Sequence, residues 1–218
     1  MRLVYGSEEL KGIALRAEKE EITEEGIPVK FQVHSVEGLM FGDKSEKRIF
    51  ISTNMHPCLE HIRHFIMDKK NPGVILISDK SHLHANEMMN KLLINKFVRP
   101  HNIIFLGQHV FAKAEYTFLQ QNKLHIFPMK EISFEGKMEV SDAVMTIAKK
   151  WSHCYILIDS SVLDSSAIKN NWAGGMSTRD LVFFIQRLKR LHNFLTAELV
   201  VPAASKRIAV KLLVETYI

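Results

Sequence analysis

Apolar residues run in short unbroken blocks along most of this chain, and stretches of helical periodicity separate the blocks. Gly73–Ser78 (GVILIS), Asn102–Gly107 (NIIFLG) and His153–Asp159 (HCYILID) show no alternation of apolar and polar positions. Such blocks are expected of strands covered on both faces. Further strands are predicted at Arg2–Tyr5, Val29–Val33, Arg48–Ser52, Leu124–Pro128 and Ala197–Val201. Between the strands, apolar residues recur at helical spacing. That spacing predicts helices from Ser7 to about Glu25, Pro57 to about Lys69 and Ala85 to about Lys96. Later helices are predicted at Ala112–Gln121, Val140–Lys150, Ser177–Asn193 and Ser205–Tyr217. In the first helix Leu10, Ile13, Ala14 and Ala17 share a face, and Gly26-Ile27-Pro28 stops it.

Alternating strands and helices, with the strands doubly covered, give the fold class α/β: three layers, α/β/α, around a mainly parallel sheet. A chain of 218 residues suits one domain over 1–218, and no repeat, low-complexity run or linker divides it. Sites in such sheets form in the loops beyond the carboxyl ends of strands. The segments after Ser52, Ser78, Gly107, Asp159 and Val201 are therefore the candidates.

Composition narrows the class. Apolar residues are 46% and charged residues 24% of the chain, as in ordinary globular proteins. No apolar run is long enough to span a bilayer, and charges interrupt the first twenty residues. A cytoplasmic protein without a membrane partner is expected. The two cysteines, Cys58 and Cys154, are far apart, and Cys154 opens an apolar block as a reduced core residue would. The net charge of +5 raises nucleic acid as a partner. The basic patches Lys149–Lys150 and Arg187–Arg190 are short and lack interleaved aromatics, so they read as solvated helix faces and nucleic acid is not expected.

Residues 155–181, YILIDSSVLDSSAIKNNWAGGMSTRDL, read as a buried strand, an Asp-containing loop, a glycine pair and an amphipathic helix. This stretch resembles the signature of the ureohydrolase family of arginases, agmatinases and formiminoglutamases. There a strand ends in S-x-D-x-D-x-L-D-P, and G-G-[LM]-[ST]-x-R-[ED] opens the next helix. Weaker matches stand in family order on either side, at Arg99–Ile132 and in AELVVPAASKRIAVKLLVETYI at the end. The resemblance covers roughly the last two-thirds of the chain. It implies an arginase-like fold and, in the family, two manganese ions at the strand ends. Those ions activate a water that attacks a guanidinium or amidine carbon.

Carried over position by position, the resemblance keeps only part of that chemistry. The G-G-D-H block falls on Thr53-Asn54-Met55-His56, which retains His56. D-A-H-A-D falls on Asp79-Lys80-Ser81-His82-Leu83, where Asp79 stays, Ser81 replaces the histidine and Leu83 replaces the second aspartate. Asp159 keeps the first aspartate of the 155–181 signature and Ser161 replaces the second. Val201 stands at the catalytic glutamate position and Ala203-Ala204 at the following Asn-Pro. The long substrate loop after the second block is also missing, because Ala85 leads almost directly into a helix. His56, Asp79 and Asp159 remain as vestigial metal ligands. His82 and His84, with Glu87 close by, are candidates for a relocated site that also uses Asp79.

These losses imply a family member with a non-catalytic binding, regulatory or assembly role, and no cofactor or at most one divalent manganese ion. The alternative is a single-metal hydrolase acting on a C–N bond of an amidine, guanidino or amide substrate. The family implies a homo-oligomer or a partner subunit. Helix Ser177–Asn193, apolar on one face and carrying Arg179, Arg187, Lys189 and Arg190, is the expected contact.

Several residues have plainer readings. His61 and His64, one turn apart, read as exposed helix residues. Asp159 is also placed to cap its own loop, and Asp164 is a structural position in the family motif. Ser160, Ser161, Ser165 and Ser166 lack the G-x-S-x-G elbow of a nucleophile. Gly174-Gly175 reads as a tight turn, with Ser177 or Thr178 as the helix N-cap and Arg179 and Asp180 pairing locally or across a subunit contact. Phe183, Phe184, Leu188 and Leu191 read as core.

Overall fold

The computed structural model describes residues 2–5, 10–13, 15–16, 32–35, 47–84, 87–109, 111–169, 171–202 and 204–216. Among these residues, eight strands form one sheet: β1 (Arg2–Tyr5), β2 (Gln32–Ser35), β3 (Arg48–Ser52), β4 (Pro72–Ile77), β5 (Ile103–Leu106), β6 (His125–Phe127), β7 (His153–Asp159) and β8 (Phe194–Val200). Their order is β2-β1-β3-β8-β7-β4-β5-β6, and every pairing is parallel. The unbroken blocks are β4, β5 and β7, and their apolar residues are buried as doubly covered strands require.

Helices lie on both faces. The connections supply α1 (Cys58–Ile66), α2 (Met88–Ile94), α3 (Lys113–Gln121), α4 (Met129–Glu135), α5 (Lys137–Ala148), α6 (Thr178–Leu188) and α7 (Lys206–Thr216). Because side chains alternate along each strand, the sheet feeds two cores. Val74, Leu76, Tyr155, Leu157 and Val200 face a core shared with α1, α2 and α3. Ile75, Ile77, Ile156, Ile158 and Leu199 face the other, shared with α4 to α7 and with Leu10 and Ile13. Three layers around a parallel sheet are the architecture expected.

Differences from expectation are local. Residues 10–13 and 15–16 are helical, and the remainder of the Ser7–Glu25 prediction lies outside the described residues. Of the Val29–Val33 strand, residues 29–31 also lie outside, and the strand is found at Gln32–Ser35. α4 was not expected, because MKEISFE carries no clean helical period and leaves Phe134 84% exposed. Gly136, at φ 94°, then breaks the chain between α4 and α5, a conformation that suits glycine. α6 ends at Leu188 rather than Asn193. Its residues Leu181, Phe184, Ile185 and Leu188 are buried in the chain's own core, and Arg187 bonds Ser141 and Asp142 of α5. The apolar face assigned to a subunit contact is thus spent within the chain.

Candidate site at the carboxyl rim of the sheet

The register brings the expected strand ends together. Ser52 and Asp159 are both aligned with Val200, and Ile77 with both Ile158 and Leu106. Ser52, Ser78, Gly107, Asp159 and Val201 therefore share one edge. Parallel pairing throughout the sheet puts the carboxyl ends of the strands on one side and so produces this convergence.

Ser78 and Asp159 continue the alternation onto the face of α1 and α2. Ser78 Oγ lies 3.5 Å from Asp159 Oδ2, 3.4 Å from Ser161 Oγ and 3.3 Å from His82 Nε2. His82 Nε2 is itself 3.6 Å from Asp159 Oδ2. The other carboxylate oxygen of Asp159 accepts the Ser161 N–H at 2.9 Å, so the residue also caps its loop. His82 has φ 53°, and its carbonyl accepts the N–H groups of Met89 and Asn90 at the start of α2. The loop after β4 thus bends back and sets the imidazole against Asp159.

Other candidates are placed elsewhere. Ser81 donates its hydroxyl to Glu115 Oε1 of α3 at 2.5 Å, and His84 Nε2 lies 3.5 Å from the same oxygen. Glu115 Oε2 accepts the Ala112 N–H at 2.8 Å. Asp79 is 5% exposed, and its Oδ1 has no hydrogen-bond partner among the described residues. Leu83 is buried in the core beneath α1 and α2. Val201 is buried on the opposite face, its N–H bonded to the Ser52 carbonyl. His56 is exposed at the end of the β3–α1 loop. Among the described residues, no group of three or more His, Cys, Asp or Glu is arranged to hold a metal ion.

One step below the rim lies a layer that sequence reasoning missed. Glu198 of β8 is fully buried. Its Oε1 accepts from Ser52 Oγ at 3.0 Å and from His61 Nδ1 at 2.9 Å, and its Oε2 accepts from Tyr155 OH at 2.7 Å. Burial first, then the Glu198 charge, pushes the Tyr155 phenol well above its ordinary pKa, so it stays a neutral donor. Burial followed by the same charge raises the Cys58 thiol, which stays protonated. Both cysteines are free and buried. His61 is therefore not an exposed helix residue: it is buried, stacked on Phe50 at 4.4 Å, and spends its Nδ1 on Glu198. The available signal was a lone carboxylate inside the apolar run of β8.

A family model for the arginase family matches residues 68–210, more than half of the chain. The chain belongs to the arginase family. Among solved structures, formimidoylglutamase from Bacillus subtilis is similar at a TM-score of 0.86 with 15% identity, over 99% of this chain and 85% of that one. Arginase from Bacillus subtilis is similar at 0.81 with 14% identity, over 99% and 97%. Entamoeba histolytica arginase, solved in complex with L-ornithine, is similar at 0.81 with 11% identity, over 99% and 97%. At such identities the likeness is one of fold. No curated protein sequence matches.

Within this arginase-family chain the 155–181 stretch acts as scaffold. Asp164 accepts the Ser166 N–H at 2.8 Å and the Gly174 N–H at 2.7 Å. The Ser166 contacts, then the Gly174 N–H, hold its carboxyl below the usual range. A Cβ on Gly175 would lie 2.7 Å from the Asp164 nitrogen, so this turn requires glycine. Ser177 caps α6 by accepting the Asp180 N–H at 3.0 Å. Asp180 bonds Lys137 of α5 at 2.6 Å, rather than pairing with its neighbour Arg179.

Proposed function

We propose that this arginase-family protein binds a ligand at the carboxyl rim without hydrolysing a guanidino substrate, and that it does so without a binuclear manganese centre. The observation that carries this reading is how the replaced ligand positions are used. Leu83 offers no donor and packs in the core, and the Ser81 hydroxyl is committed to Glu115. Ser161 meets Ser78 with its hydroxyl and Asp159 with its backbone N–H. Val201 points away into the other core. A serine hydroxyl is a weak neutral ligand, and manganese at a paired site needs carboxylates and imidazoles. The residues present do not fit two divalent cations. His56, Asp79 and Asp159 remain as positions of descent, and His82 is set against Asp159 by its own loop.

Elemental analysis of the purified protein, with urea release from arginine and agmatine, tests the reading. The expected result is fewer than two manganese ions per chain and no urea above a no-enzyme control. Two ions per chain, or urea release above that control, overturns it. One ion together with release from another amidine or amide moves the assignment to a single-metal hydrolase. The same reading includes self-association, and a monomer by light scattering at high concentration removes that part.

A further inference from the structure

A cavity of about 220 Å³ lies between the β3–α1 loop and the segment that enters α2. Met55, Leu59 and Met88 form its apolar wall, and His56, His82, Glu87 and Lys91 its polar wall. We propose that this cavity binds a small carboxylate bearing a short apolar tail. The proposal rests on the rim being a binding site that does not hydrolyse.

Size sets the first limit. The volume falls below the roughly 300–1,000 Å³ of pockets for drug-sized ligands. It equals the liquid volume of about seven waters, at about 30 Å³ each. A ligand of a few heavy atoms fits. The apolar wall sets the second limit. Two methionines adapt to a short hydrocarbon chain better than a rigid wall does, and covering them removes apolar surface from water.

The polar wall decides the charge. Among the described residues, no carboxylate lies within ion-pair distance of the Lys91 ammonium. Among the described residues, no hydrogen bond uses the ring nitrogens of His56 or the Nδ1 of His82. Lys91 can donate into the cavity, His56 and His82 can each donate in the tautomer that places an N–H there, and Glu87 accepts, its Oε2 already holding the His84 N–H at 3.1 Å. Charge-assisted hydrogen bonds from an ammonium and an imidazole to a carboxylate are among the stronger polar contacts. A guanidinium or an amine would meet Glu87 as the carboxylate in the cavity wall, with Lys91 opposing it. Asp159 is covered by His82, Ser78 and Ser161, and Asp79 is buried. Lys91 has no carboxylate partner among the described residues, and Glu87 already has one oxygen on the His84 N–H, so the cavity favours an anionic ligand that reaches Lys91.

The test uses the full-length protein with ¹³C-labelled methionine methyls, titrated with sodium butanoate, n-butylammonium chloride and sodium chloride at matched ionic strength. Butanoate is expected to move the Met55 and Met88 methyl signals saturably, while the other two salts leave them in place. Lys91→Gln, in the partly exposed α2, is expected to raise the butanoate midpoint about tenfold by removing one charged hydrogen bond. His56→Gln provides a second variant with the same direction of effect. No saturable shift with butanoate, an equal response to butylammonium, or a midpoint unchanged in both variants overturns the proposal. The urea and manganese measurements keep the two claims apart. A failed titration with no urea release removes only the carboxylate ligand, whereas urea release removes the non-hydrolytic reading whatever the titration gives.

Discussion

Glu198 is where the energetic stakes at the rim are highest. A carboxylate with no exposed surface is tolerated inside a sheet only when its lone pairs are met, and Ser52, His61 and Tyr155 meet them. Glu198→Ala would strand three buried donors. The expected cost is about 3 kcal/mol or more, read from the urea-denaturation midpoint. A loss below about 1 kcal/mol would mean that the layer relaxes or admits water. Asp180 gives a second measurable effect. Burial raises its pKa, but the Lys137 and Ser177 hydrogen bonds and the Lys137 and Arg179 charges outweigh that and hold it below the ordinary value. A depressed folded pKa stabilises above the unfolded value of about 3.9, and that stability is lost as pH falls through the folded value. Asp180→Asn should therefore be less stable than the parent at pH 7, by under about 1 kcal/mol for a pair this exposed. The gap should close as acid protonates Asp180 in the parent. A gap that stays constant down to acid pH would assign the effect to lost geometry instead of lost charge.

Strands and helices followed from patterning where burial is two-sided. β7 was read at its observed bounds, and β4 and β5 within one residue, because unbroken apolar runs leave little freedom of register. α4 escaped because its exposed Phe134 breaks the helical period. The 155–181 stretch was readable for a different reason: its turn residues are fixed by close backbone approach. Gly175→Ala would drive a methyl group against the backbone of Leu163 and Asp164. The expected loss is about 1–3 kcal/mol, with α6 the element whose amide-exchange protection falls first. An unchanged melting temperature would show that the turn can open at no cost. The rim was only half readable. The strand ends converge as their run-ends require, and the sequence places His82 beside Asp79. The Glu198 layer was hidden because it joins β3, β7, β8 and α1, whose residues lie up to 146 positions apart. His61 was misjudged for the same reason: its partner comes from the far end of the chain.

At the scale of the whole molecule, the arginase-family fold is held by the side-chain contacts of its two cores and its rim. Two apolar cores flank an eight-stranded parallel sheet, the Glu198 layer ties β8 to β3, β7 and α1, and His82 closes over Asp159 at the rim. A protein stabilised by a bound metal gains RT ln(1 + [L]/Kd), about 2.7 kcal/mol at a hundredfold excess over Kd, and loses it to a chelator. For a domain of this size such a gain would move the melting temperature by several degrees. Three of the positions that the resemblance assigns to the two ions here hold a core leucine, a serine bonded to Glu115 and a serine against Ser78. The melting temperature is therefore expected to be the same with excess manganese, with excess chelator and with neither. Calorimetry under those three conditions checks this without any assumption about substrate. A rise with manganese that reverses on chelation would show that the surviving residues gather an ion, and the non-metal account of the rim would then be wrong.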